Sequence, residues 1–237
     1  SRRSFETVSE DDYQYETDKQ AMAIGMAQWE TTLFAVGIAL GKANASYWVV
    51  RKAAAGDKQS WTTIDTYQRT TDASAGANAI VINKSGVIFV AGFENESGGI
   101  GHWVVRKSDD TGKTWTKTDD YQLKTGKSAS AAAMILDQNG YIYTAGKASN
   151  DSSSFGTVRK SIDGGITWED VDSYQLLSGK DAGFNDLKFD SLGNLIVSGW
   201  AKDTKGNSHM IVRKSVDFGK TWDTWDDYVL VAEKNAQ

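Results

Sequence analysis

Ser108-Asp109-Asp110-Thr111-Gly112-Lys113-Thr114-Trp115 fits the pattern Ser-x-Asp-x-Gly-x-Thr-Trp. The pattern returns at Ser161, Asp163, Gly165, Thr167 and Trp168, and again at Ser215, Asp217, Gly219, Thr221 and Trp222. Each position has a mechanical reason. Ser and Asp side chains bond nearby backbone groups and close a turn, and Gly tolerates positive φ. Thr and Trp then open a strand whose indole can be buried.

The motif resembles the Asp-box, the bacterial neuraminidase repeat of sialidase-like proteins. The resemblance implies an all-β fold, a β-propeller of four-stranded antiparallel blades. It also implies that the box lies on the turn between the third and fourth strands of a blade, with structural rather than catalytic residues.

The period supports the same architecture. The box tryptophans stand at 115, 168 and 222, and Trp61 precedes them, at intervals of 54, 53 and 54. An Asp-x-Tyr marker follows each: Asp65/Tyr67, Asp119/Tyr121, Asp172/Tyr174 and Asp226/Tyr228. A fifth copy stands alone at Asp11/Tyr13. The expected layout is one domain with blades at about 19–68, 69–122, 123–175 and 176–229. Residues 1–14 read as a partial repeat forming an outer strand, and 230–237 as a tail. In the first repeat the box has decayed to Ala53–Ser60. The expected arrangement is a closed four-blade ring with residues 1–12 added at an edge; the alternative is chains combining their blades into a larger ring.

Within the third repeat, strand a is expected at Ala131–Leu136, strand b at Tyr141–Ala145 and strand c at Gly156–Lys160, with strand d opening at Thr167-Trp168. Asn139-Gly140 is a hairpin turn signal. Strand b is β-branched or aromatic and ends, on this reading, at a recurring Gly (37, 92, 146, 199). Strand a alternates small residues, as at Ala75/Ala77/Ala79, which suits the crowded centre of a radial array. The other register (Met26, Ile80, Met134, Leu187) suits packing between blades. Trp48 and Trp103 are read as inter-blade packing, and the Arg-Lys pairs at 51–52, 106–107, 159–160 and 213–214 as a structural ladder.

In an antiparallel meander the boxes share one face with the a–b turns, and the b–c and d–a loops share the other. The b–c loops, at about 38–47, 93–102, 147–155 and 200–209, are polar with scattered aromatics. Trp200, Phe93, Asn95, Asp203, Asn207, His209 and His102 are therefore the candidate ligand-binding residues. An aromatic ring covers the apolar face of a sugar while amides and carboxylates fix its hydroxyls.

Composition excludes several classes. The 237 residues include no Cys and no Pro, and the formal charge is −5 with no basic run longer than two. Nucleic acid is an unsuitable partner, and no apolar run has the length of a membrane span. Two histidines in separate loops make no metal site, and no motif implies a cofactor. Paired carboxylates for glycoside hydrolysis are missing from the inner strands, where Asp186 and Lys188 are the only ionisable residues. The Arg-Ile-Pro segment of sialidases is absent because Pro is. The expectation is a non-catalytic recognition module, lectin-like or adhesive, for a glycan or a protein at a cell surface. It is exported and part of a larger protein or a homo-oligomer. A protein-interaction scaffold is the alternative and a divergent glycosidase the third reading.

Overall fold

The structure, a computed structural model, describes residues 13–57 and 59–229. The outer strand expected at 1–14 and the tail at 230–237 therefore lie outside the described residues, except Tyr13 and Gln14. Among the described residues sixteen strands form four antiparallel meanders. Blade 1 holds β1 (Ala21–Trp29), β2 (Thr32–Leu40), β3 (Ser46–Ala54) and β4 (Thr62–Tyr67). Blade 2 holds β5 (Ala75–Ile82), β6 (Ile88–Asn95), β7 (Gly101–Ser108) and β8 (Thr116–Tyr121). Blade 3 holds β9 (Ala129–Leu136), β10 (Ile142–Ser149), β11 (Ser154–Ser161) and β12 (Glu169–Tyr174). Blade 4 holds β13 (Ala182–Phe189), β14 (Leu195–Lys202), β15 (Ser208–Ser215) and β16 (Asp223–Tyr228).

The boxes sit on the β7–β8, β11–β12 and β15–β16 turns. In the first box Ser108 Oγ donates to Asp110 Oδ1 (2.8 Å) and accepts from the Gly112 N–H (2.8 Å). Asp110 also accepts from the Thr114 N–H and hydroxyl (2.8 and 2.7 Å). The other two boxes repeat these bonds. The box glycine has a second task. A Cβ on Gly112 would strike Ile64 of the preceding blade (2.4 Å), and one on Gly219 would press on Val171 (3.3 Å). The turn thus closes its own hairpin and lets the neighbouring strand d approach.

The inner strand of every blade departs from strict alternation. A β-bulge falls between Ala77 and Ala79 in β5, and equivalent irregularities occur in blades 1, 3 and 4. The extra residue brings Ala75, Ala77 and Ile80 onto one face, which packs on blade 1 with Trp48 and Val50. Ala79 turns toward blade 3.

The recurring glycine does not end strand b. A Cβ on Gly92 would lie 1.9 Å from the Gly76 carbonyl oxygen, and Gly37, Gly146 and Gly199 meet the same contact at 1.9–2.1 Å. These glycines allow the bulged inner strand to pass close by, and β6 and β14 continue beyond them. The b–c connections shrink accordingly, and Phe93 and Trp200 are strand residues.

The apolar core consists of seams between consecutive blades, 1 with 2, 2 with 3 and 3 with 4. Trp48 and Trp103 are fully buried in the first two, as read from the sequence. The box tryptophans Trp115, Trp168 and Trp222 pack at the margins and are half-buried. Among the described residues no comparable seam joins blade 4 to blade 1. The expected closed ring is replaced by an open arc. The faces that would meet in a closed ring stay uncovered, with Met26 of blade 1 and Met210 of blade 4 both exposed.

Candidate functional site

The loop face contains a cleft of about 280 Å³ between blades 2 and 3. Phe93 and Asn95 at the end of β6 form one wall, Ser128 and Ser130 at the start of β9 the other, and Lys147 of β10 closes it. Phe93 points into this cleft because it stands directly opposite Gly76, which offers its ring room on the face toward blade 3. Ser128 Oγ is occupied by the Gly101 N–H (3.1 Å) and Ser130 Oγ by the Ala131 carbonyl (3.3 Å). The Asn95 amide group and the Lys147 ammonium carry no hydrogen bond or ion pair and remain available.

The other candidates are placed elsewhere. Trp200 packs over Gly183 on the side of blade 4 that faces away from blade 3, so it shares no surface with Phe93. Asp203 and Asn207 close their own hairpin, with the Asn207 N–H (2.8 Å) and amide (2.9 Å) both on Asp203. His209 is held by Asp227, with Asp203 3.7 Å from its other nitrogen. His102 is buried between Asp120 and Glu96. The sequence reading missed Lys147. Its signal was positional: it occupies in blade 3 the place of Ile38, Phe93 and Trp200, immediately after the strand-b glycine.

Behind His102 lies an ionic network within blade 2. Glu94, fully buried, accepts from Arg69 (2.6 Å) and Lys117 (2.8 Å), and both cations also bond Asp120. Burial would raise the Asp120 carboxyl, but bonds from Lys117, Arg69 and His102 outweigh it and hold it down to about 2. These carboxylates are committed to cations within the protein.

A larger hollow of about 530 Å³ lies on the opposite face, between the a–b turns of blades 3 and 4. Its carboxylates are already used: Asp137 accepts from Asn139 and Tyr141, and Asp190 from Leu192 and Asn194. The blade 2–3 cleft is the better candidate because it sets a free ammonium beside a free amide and an aromatic ring.

No family model and no curated protein matches this sequence. Solved structures do. A protein of unknown function from Dyadobacter fermentans superimposes with a TM-score of 0.62 at 17% identity, covering 90% of this chain and 70% of that one. The Trypanosoma rangeli sialidase gives 0.59 at 18% identity, over 86% of this chain and 37% of its own. An α-L-arabinofuranosidase of Fusarium graminearum gives 0.60 at 13% identity, over 89% and 68%. The likeness is one of fold. This chain has the blade architecture of propeller glycosidases and spans little more than a third of the sialidase's length.

Proposed function

We propose that this chain is a non-catalytic carbohydrate-recognition module and that the cleft between blades 2 and 3 is its site. One observation carries the reading: an aromatic ring, an unengaged amide and an unengaged ammonium converge on a concave surface at Phe93, Asn95 and Lys147. A sugar ring stacks on Phe93, Asn95 fixes hydroxyls, and Lys147 gives acidic glycans an advantage. Two features support the absence of hydrolysis. Inner-strand Asp186 is exposed and its carboxylate is paired with Lys188 (3.3 Å). Glu94, the buried acid between Phe93 and Asn95 in sequence, is held by Arg69 and Lys117. Such a module suits an exported protein acting at a cell surface.

A glycan array tests the reading. Parent protein should retain glycans carrying a carboxylate or sulfate, and Asn95→Ala and Lys147→Ala should each lower that signal severalfold without moving Tm. Lys147→Ala should also flatten the salt dependence of binding. An array with no retained glycan, or retention indifferent to both variants, would overturn the proposal.

A further inference from the structure

The three seams inside the chain share one rule. The arginine of strand c in each blade reaches back to the Asp-x-Tyr of strand d in the blade before it. Arg106 engages Asp65, Arg159 engages Asp119 (2.9 Å) and Arg213 engages Asp172 (2.7 Å). The guanidinium carbons stand 4.0, 3.8 and 4.3 Å from the ring centroids of Tyr67, Tyr121 and Tyr174. Each socket combines a carboxylate with a π face, a pairing suited to arginine.

The fourth socket is empty. Asp226 and Tyr228 are exposed, and Asp226 has no cation. The apolar surface around them is uncovered too: Met210 is 54% exposed where its counterpart Trp103 is fully buried. Blade 1 shows the complementary lack. Met26 is 64% exposed, against 6% for Met134 at the same position in blade 3. Beside it is a hollow of about 200 Å³ lined by Ala21, Ala23, Gly37 and Arg51. In the inner seams the equivalent place is filled from the preceding blade. The Trp48 indole lies against Gly92 and the Trp103 indole against Gly146.

We infer that the chain associates head-to-tail with a second copy of itself, the open side of blade 4 seating on the open side of blade 1. The two surfaces are the two halves of the seam that this chain forms three times internally. Met210 and Trp200 project from one, and the hollow at Gly37 receives them on the other. Arg51 already has partners within its own chain, and on docking Asp226 would compete for its guanidinium. The structure shows that Arg51 accepts a tyrosine, because the Tyr13 ring lies 4.2 Å from its guanidinium carbon. Tyr13 ends the sequence Asp11-Asp12-Tyr13, identical to Asp226-Asp227-Tyr228. Docking therefore exchanges one Asp-Asp-Tyr tyrosine for another and adds apolar burial. The contact is heterologous, so each added copy leaves one open side of each kind.

The experiment measures mass against concentration, by light scattering, for the 237-residue chain and three variants. Met26→Glu spoils the blade 1 side and Met210→Glu the blade 4 side; Asp226→Arg serves as a second blade 4 lesion. Parent mass should rise with concentration, and each variant alone should stay monomeric with a Tm matching dilute parent. An equimolar mixture of a blade 1 and a blade 4 variant should form dimers and stop there, since each contributes its one intact side. A parent that stays monomeric at every concentration would overturn the inference. So would either Met variant associating like the parent, or a mixture without dimers.

Discussion

Trp103 in blade 2 and Met210 in blade 4 stand at the same place in strand c, each opposite the strand-d tyrosine, yet one is buried and the other mostly exposed. The two blades share strand lengths, the bulge and the box, and each has a histidine held by a carboxylate of strand d. They differ in neighbours. Blade 2 is covered on both sides and blade 4 on one, so every residue of β16 is exposed. The repeat encodes the sheet, and the adjacent sheet decides what each side chain is worth.

The contrast should appear most strongly in truncations at that position. Trp103→Ala should cost about 3–5 kcal/mol, as for other buried large aromatics, and lower Tm by roughly 2–4 °C per kcal/mol in a chain of this size. Met210→Ala should stay within about 0.5 kcal/mol in dilute protein. Equal losses in denaturant titrations would show that blade 4 is covered in solution at that concentration.

A second pair should erase the difference. Gly92→Ala and Gly199→Ala each drive a Cβ into a backbone oxygen of their own blade, which is the nearest atom in both cases and outweighs the looser contact of Gly92 with Trp48. Both should cost about 1–3 kcal/mol, the usual scale of overpacking. A harmless Gly199→Ala beside a damaging Gly92→Ala would mean the close approach is relaxed in the uncovered blade.

The smallest effect concerns the boxes of blades 3 and 4. Bonds from the Thr167 hydroxyl and N–H hold Asp163 down to about 2, and Thr221 does the same for Asp217. A carboxyl depressed on folding contributes stability above its unfolded pKa, near 4, and loses it as pH falls through about 2. Parent Tm should therefore exceed that of Asp163→Ala and Asp217→Ala at pH 6, and the gap should close between about pH 4 and 2. A gap independent of pH would assign the bonds to geometry rather than charge.

Much of the fold was legible because box, marker and period are local signals. Ser108, Asp110 and Thr114 bond within seven residues of chain, and the arginine ladder follows from repetition. The bulge was not legible: Ala75, Ala77 and Ala79 look like strict alternation, and only Gly92 pressed against the Gly76 carbonyl reveals the extra residue. The open ends were hidden for a related reason, since Met26 and Met134 are the same residue in the same pattern. For the candidate site, composition found Phe93 and Asn95 but could not orient Trp200. Asp203 and Asn207 carry turn chemistry that resembles ligand chemistry in one dimension.

The seams between consecutive blades also shape how the chain acquires its structure. A stack whose members touch only their neighbours behaves like a row of coupled units, able to start ordering at any member and spread outward. Blades 2 and 3 gain from both sides, while the last sheet to zip on gains from one. Loss of order runs in reverse, peeling from the exposed β16 inward and leaving the middle pair until last.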